Sequence, residues 1–216
     1  MGWLYIIADF SCGEEKIQAV LNAGIDYIQL REKEISSAEY LKRARQLRKM
    51  TAGTKTKFIV NDRLDIALMS GADGVHLGQT DIPVKDARSC LGPEKIIGAT
   101  AKTVEQARQA MREGADYLGS GAWFATETKK DAMRISEEMY RAILQEAPIP
   151  NVAVGGITAE NARRPLECGA YGLAISAGIL KAQDPAKEVA KVRACMEDYC
   201  GKSMDARILC SDSLCT

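Results

Sequence analysis

Two carboxylates carry the most chemical information in this chain. Asp62 stands in Asn61-Asp62-Arg63 and Asp81 in His76-Leu77-Gly78-Gln79-Thr80-Asp81, and each follows a short apolar run that reads as a β-strand. Further strand ends carry the cations Arg31 and Lys33, then Thr126 and Lys129, then Gly155-Gly156, then Ser176. Paired acids suit Mg²⁺, which takes a few carboxylate oxygens and leaves the rest of its shell to water and phosphate. Cations, hydroxyls and glycines suit phosphate oxygens, the glycines because backbone can approach the anion closely there. Gathered at the same end of successive strands, these residues predict one pocket for a divalent metal and a diphosphate.

Each residue also has a plainer alternative. Strand alternation places Gln29, Arg31 and Lys33 on one side and Leu30 and Glu32 on the other. An anion would satisfy the two cations, and Gln29 can bond a heterocycle edge. Salt bridges to Glu32, Glu34 or Asp62 would satisfy them equally. Asp81-Ile82-Pro83 resembles a helix start, so the acids could be caps. His76 is the only histidine, which argues against zinc and for a neutral pocket wall. The segment from Gly119 to Asp131 is long for a barrel loop and centres on Thr126, Thr128 and Lys129; it suits phosphate or is simply solvated. Gly155-Gly156 and Ser176-Ala177-Gly178 follow the last two strands, where barrels often hold phosphate on backbone N–H groups. The residues alone thus describe two anion sites, one with Mg²⁺ for a diphosphate and one for a monophosphate.

The elements that must position them alternate along the whole chain. Apolar runs at 3–8, 26–30, 57–60, 74–77, 95–99, 116–119, 151–154 and 172–175 read as strands of a buried parallel sheet, continuous rather than alternating. Helical patterns lie between them. Ser11 to Glu14, Ser36 to Glu39 and Thr103 to Gln106 fit capping boxes, Ile35 and Tyr40 sit at staple positions, and Asp184-Pro185 offers a cap with proline behind it. A repeat marks alternate helix ends: Gly24, Gly71, Gly114 and Gly169 each stop a helix and lead into a strand. The expected fold is α/β, a single-domain (β/α)8 TIM barrel over residues 1–200, with a doubly wound open sheet as runner-up. Residues 201–216 lack clear periodicity and are expected as a flexible, cysteine-containing tail.

Composition sets the outer bounds. The 216 residues carry 29 basic and 29 acidic side chains, so bulk charge offers nothing to nucleic acid or a membrane surface. No apolar run is long enough to span a bilayer, and the start lacks the basic and apolar regions of a signal peptide, so the chain reads as cytoplasmic. Seven cysteines form no CxxC pair and read as free thiols. Cys195, Cys200, Cys210 and Cys215 crowd the C-terminal end without a common zinc spacing. The oligomeric state stays open, a homo-oligomer included.

From Trp3 to Leu180 these same residues resemble the thiamin phosphate synthase family. The most specific pieces are Gln29-Leu30-Arg31-Glu32-Lys33, Asn61-Asp62, His76-Leu77-Gly78-Gln79 with Asp81, Thr126-Glu127-Thr128-Lys129 and Gly155-Gly156-Ile157. The resemblance implies joining of a hydroxymethylpyrimidine diphosphate to a thiazole monophosphate, giving thiamin monophosphate and diphosphate. It implies that Gln29, Leu30, Arg31, Glu32, Lys33, Asn61, His76, Thr100 and Lys129 bind the pyrimidine diphosphate. Asp62 and Asp81 would hold Mg²⁺, and Thr126, Glu127, Thr128, Gly156, Ile175 and Ser176 the thiazole phosphate. The family usually has prolines where this chain has Ala122 and Ala125, an aliphatic residue at Trp123, serine at Thr100 and histidine at Lys102, so retuned rather than lost activity is expected. Rival expectations are a thiazole tautomerase-like relative, a non-catalytic thiamin-phosphate-binding barrel, or another phosphate-binding barrel enzyme such as a sugar-phosphate isomerase.

Overall fold

A computed structural model describes residues 2–125 and 134–212, with side chains described as far as Gly201. Eight strands form the frame: β1 (Trp3–Ala8), β2 (Tyr27–Leu30), β3 (Lys57–Asn61), β4 (Gly74–Leu77), β5 (Ile96–Thr100), β6 (Tyr117–Gly121), β7 (Asn151–Val154) and β8 (Gly172–Ile175). They close in sequence order into a barrel, β8 pairing back onto β1 and every neighbouring pair parallel. Closure rules out the open doubly wound sheet. Between and after the strands lie α1 (Glu14–Asn22), α2 (Ser37–Thr51), α3 (Leu64–Ser70), α4 (Val84–Leu91), α5 (Val104–Arg112), α6 (Glu137–Glu146), α7 (Arg163–Glu167), α8 (Ala177–Leu180) and α9 (Pro185–Asp212). Helical backbone therefore continues past Gly201 to Asp212, where no helical period is legible in the sequence.

Most start signals act as expected. The Ser36 hydroxyl accepts from the Glu39 N–H at 3.2 Å, and Thr103 accepts from the Gln106 N–H at 3.3 Å. Asp184 accepts from the Lys187 N–H at 3.0 Å with Pro185 behind it. The box at Ser11 does not form. Asp9 takes the Ser11 N–H at 2.8 Å, the segment Phe10–Cys12 closes as a 3-10 turn, and α1 begins only at Glu14. An ionised carboxylate two residues upstream is the stronger acceptor, so it captures the turn before the serine can cap it.

The glycine repeat belongs to a larger device at the N-terminal end of the barrel. Gly24, Gly71 and Gly114 adopt the left-handed conformation, and two residues on stand Asp26, Asp73 and Asp116. Each aspartate accepts the N–H of the second residue in the preceding odd strand: Leu4, Phe58 and Ile97, all at 2.7 Å. The same oxygen takes an arginine from a helix, Arg193 at 2.7 Å, Arg48 at 2.9 Å and Arg88 at 2.6 Å. One carboxylate thus terminates a strand ladder and ties it to the helix layer. The fourth unit has Tyr171 at that position and lacks the device.

Alternation along the strands divides the core in two. Leu4, Ile28, Val60, Val75, Ile97, Leu118, Ala153 and Leu173 face outward into the helix layer. Tyr5, Tyr27, Ile59, Tyr117, Val152 and Ala174 fill the barrel itself, with Trp3 packed against them. The rings of Trp3, Tyr5, Tyr27 and Tyr117 lie 4.7–6.1 Å apart and floor the interior. Above this floor the inward-facing positions near the strand ends are mostly small or polar, among them Gln29, Asn61, His76, Thr100, Gly121 and Ala174, and they line a cavity.

Asp73→Ala should cost about 1–3 kcal/mol, because it strands the Phe58 N–H and the Arg48 guanidinium in a partly buried setting. Urea unfolding of the mutant beside the parent measures it; an unchanged midpoint would mean that the repeat is decoration.

Candidate active site

The mouth at the C-terminal ends of the strands is a cavity of about 850 Å³. One wall carries Gln29, Arg31 and Lys33 after β2, Asn61 and Asp62 after β3, His76 to Asp81 around the end of β4, and Thr100 and Lys102 after β5. The other carries Gly155 to Thr158 after β7 and Ser176 to Gly178 with Lys181 after β8, with Ala122 and Ala125 between the walls. Of the residues singled out from the sequence, the structure brings Gln29, Arg31, Lys33, Asn61, Asp62, His76, Asp81, Thr100, Gly156 and Ser176 to this one space. Leu30 and Ile175 lie on the outward strand face, buried in the helix layer. Glu32 is also turned away: it accepts from the Phe10 N–H at 3.0 Å and pairs with Arg43 of α2 at 2.8 Å. Thr126, Glu127, Thr128 and Lys129 lie outside the described residues.

Neither acid is a helix cap. The residues that precede α3 and α4 are Arg63 and Pro83, and neither start has a side-chain cap. Asp81 instead folds back onto its own turn, where its carboxylate accepts from the Gly78 N–H at 2.6 Å. Asp62 sits in the left-handed region at φ 62°, which aspartate tolerates better than most residues, while its N–H holds the His76 carbonyl at 2.9 Å. The Tyr40 hydroxyl, from α2, sits between the carbonyls of Leu30 and Asn61 at 2.8 and 3.0 Å and pins the two strand ends side by side. These constraints bring the Asp62 and Asp81 carboxyls within hydrogen-bonding reach of each other.

Their environments split the pair. Burial pushes the Asp81 carboxyl up, and the neighbouring Asp62 charge adds to it despite the Gly78 N–H. Burial also works to raise Asp62, yet the Lys33 ammonium at 2.7 Å and the bond with Asp81 outweigh it and hold Asp62 below the usual carboxylate range. Two acids that resist ionising together are what a divalent cation relieves. The donor set, hard oxygens without sulfur or nitrogen, fits Mg²⁺; among the described residues no third acid, histidine or cysteine joins the pair. Lys33 answers the ion-pair alternative in part, since it does take Asp62. The Arg31 guanidinium lines the same wall and makes no hydrogen bond or ion pair with the described residues.

The opposite wall is built by close backbone approach. Gly156 has φ +67°, and a Cβ there would lie 2.5 Å from the Ala125 carbonyl oxygen. The glycine is therefore required by the chain after β6. Asn161 steadies the turn, accepting from the Thr158 N–H and donating to the Gly156 carbonyl, both at 2.9 Å. Trp123 does not fill the cavity; its ring packs edge-on against Tyr140 at 4.8 Å in the helix layer. Sequence reasoning missed Tyr5 and Lys181 as lining residues. Tyr5 reads as core until the barrel closes, and Lys181 lies five residues beyond Ser176 on a short helical turn that the sequence does not announce.

A closed parallel barrel with acids, cations and glycine turns gathered at one mouth defines a (β/α)8-barrel protein of the kind that takes small anionic ligands there. Residues 4–179 match the model of the thiamine monophosphate synthase family. The chain belongs to that family. It is 45% identical over 180 residues to a thiamine-phosphate synthase of Moorella thermoacetica, covering 83% of this chain and 86% of that one. It is 41% identical over 186 residues to the thiamine-phosphate synthase of Methanobrevibacter smithii, covering 84% and 89%. Among solved structures, a thiamine phosphate pyrophosphorylase from Pyrococcus furiosus superposes with a TM-score of 0.84 at 37% identity, over 91% of this chain and 96% of that one. A 3-hexulose-6-phosphate synthase, with a TM-score of 0.69 at 18% identity, shares the fold.

Without metal at neutral pH, Asp81→Asn should slightly stabilise the protein, by no more than about 1 kcal/mol because solvent screens the pair. The sign follows from the raised carboxyl: its folded form prefers the proton, so ionisation works against folding once pH exceeds the ordinary carboxylate value. The amide removes that penalty and can still accept from Gly78. Thermal melts with chelator should show the gain near neutral pH and its loss in acid. A mutant that melts lower at neutral pH would contradict the like-charge account.

Proposed function

We propose that this chain is a thiamine-phosphate synthase, a transferase that joins 4-amino-2-methyl-5-(diphosphooxymethyl)pyrimidine to thiazole monophosphate. The observation that carries the reading is the pairing, on one cavity wall, of the Asp62–Asp81 diacid with Arg31 and Lys33, opposite a wall of glycine turns and Ser176. Family membership supports the same reaction class. Asp62 and Asp81 would hold Mg²⁺, which when bound would neutralise charge on the diphosphate.

The residues themselves have a positional task. Arg31 and Lys33 bind the diphosphate and stabilise the charge that grows on it as the pyrimidine methylene C–O bond breaks. The electron pair leaves with diphosphate, and the carbocation is stabilised by the aminopyrimidine ring. The thiazole nitrogen then supplies its lone pair to form the new C–N bond. Ser176 and the turn at Gly156 hold the thiazole phosphate so that this nitrogen faces the methylene, a proximity effect. No proton moves at the reacting atoms, so no protein base or nucleophile is required, and a site with one histidine suffices. The acids, Lys33 and Arg31 favour this reading over a tautomerase-like or purely binding relative, whose chemistry needs no diphosphate site. We place the protein in the cytoplasm, in keeping with the unpaired thiols of Cys12, Cys90, Cys168, Cys195 and Cys200. Among the described residues no helix is long and apolar enough to cross a membrane.

Purified protein should release diphosphate from the pyrimidine substrate only when thiazole phosphate and Mg²⁺ are both supplied. Asp62→Ala should lower that rate by ~10²–10³, the usual loss of one charge stabiliser, with little change in fold. Full turnover in Asp62→Ala would remove the metal assignment. Ser176→Val should raise the KM for thiazole phosphate while sparing the pyrimidine diphosphate. The opposite selectivity would mean that the two walls have been assigned the wrong way round.

A further inference from the structure

Beneath the pyrimidine wall runs a chain of hydrogen bonds that the proposed reaction does not use. The Gln29 Nε2 donates to the Tyr5 hydroxyl at 2.9 Å, Tyr5 and Tyr117 share a bond at 2.8 Å, and Tyr117 meets His76 Nδ1 at 3.0 Å. On the far side of the imidazole, Nε2 meets the Thr100 hydroxyl at 3.0 Å. Both phenols are buried, and burial raises their pKa, so they remain protonated at neutral pH. The Tyr117–His76 contact exists because residue 98 is glycine: a Cβ there would collide with the Tyr117 ring and hydroxyl and with His76 Nδ1.

A phenol has one hydrogen to give, and this sets a direction. Tyr5 accepts from Gln29, so its own hydrogen goes to Tyr117. Tyr117 then gives its hydrogen to His76 Nδ1. His76 must accept at Nδ1 and carry its hydrogen on Nε2, where it donates to Thr100. We propose that Tyr5 and Tyr117 are positioning residues that lock the Gln29 amide and the His76 tautomer to each other, so that Gln29 presents its carbonyl oxygen to the pyrimidine. Gln29 lines the cavity, and its Oε1 bonds none of the described residues, so this acceptor is offered to a ligand. It suits the exocyclic amine of an aminopyrimidine. Reversing the amide would reverse every bond in the chain and move the hydrogen to His76 Nδ1, offering an NH₂ group that repels that amine. The identity of the ligand rests on the proposed reaction; the tautomer lock does not.

The single histidine makes the lock directly readable. In uniformly ¹⁵N-labelled full-length protein at about pH 8, where an unperturbed imidazole is neutral, long-range ¹H–¹⁵N correlation reports one ring. The parent should show a protonated Nε2 and an unprotonated Nδ1. Tyr117→Phe should lower the Nε2–H to Nδ1–H ratio by about threefold to tenfold, the worth of one hydrogen bond. Tyr5→Phe, which makes no hydrogen bond to His76, should shift it in the same direction by less. In turnover, both variants should raise the KM for the pyrimidine diphosphate about threefold to tenfold and leave that for thiazole phosphate unchanged. An Nδ1–H imidazole in the parent overturns the proposal, as does a tautomer ratio indifferent to both phenylalanines. Should Tyr117→Phe fail to fold, Tyr5→Phe alone decides. A parent with the expected tautomer but no synthase turnover would sink the proposed reaction and leave the lock standing.

Discussion

Closure of the parallel sheet is the constraint on which everything else depends. A ring of eight strands has no edge, so every strand must present the same alternation, one face to the helices and one to the interior. The interior is narrow and must be filled. Trp3, Tyr5, Tyr27 and Tyr117 fill its lower half, and glycine at positions 98 and 119 makes room for Tyr117 and His76. What remains above the aromatic floor is the cavity, and that packing sets its bottom. The three aspartate–arginine ties serve the same end from below, since they terminate odd strands and anchor them to helices. The mouth can then carry unfavourable charge without loosening the frame.

That unfavourable charge is concentrated in two carboxyls. Asp62 takes a left-handed backbone conformation and Asp81 is turned back onto Gly78, which sets the two carboxyls side by side. The cost is visible in their opposite shifts: Lys33 works against it at both carboxyls and prevails only at Asp62, which it bonds directly. Functional sites commonly carry this kind of local conflict, in which stability is given up to hold groups in a geometry that a ligand completes. Arg31 tells the same story with opposite charge, since nothing among the described residues pairs with it.

The two walls differ in physical type. The acid and cation wall is made of side chains on adjacent strands, braced by Tyr40 and by the buried hydroxyl chain. The opposite wall is made of backbone, with Gly156 pressed against the segment after β6 and held by Asn161. Side-chain walls discriminate through donors and acceptors, whereas backbone walls accept a phosphate wherever N–H groups converge. A synthase that must bring two phosphorylated substrates together without confusing them is served by that asymmetry.

Much of this was legible in the sequence because local rules act over a few residues. Strand positions, the caps at Ser36, Thr103 and Asp184, and the left-handed glycines all follow from hydrogen-bond geometry and steric freedom within one turn. The polar strand ends that converge on one cavity were legible too, since a barrel sends every strand end to the same face. What the sequence left undecided depended on contacts between distant segments. Asp9 displaced Ser11 as the capping group because two acceptors compete and only the folded turn selects one. Strand alternation already set Glu32 on the face opposite Lys33, but its partner Arg43 lies on α2 and only the folded chain brings it there. Tyr5 and Tyr117 read as core from their apolar neighbours, and only closure of the barrel set their hydroxyls end to end beneath His76. A one-dimensional pattern fixes which face a residue takes; which partner waits on that face is decided when strands 112 residues apart in sequence become neighbours across the barrel.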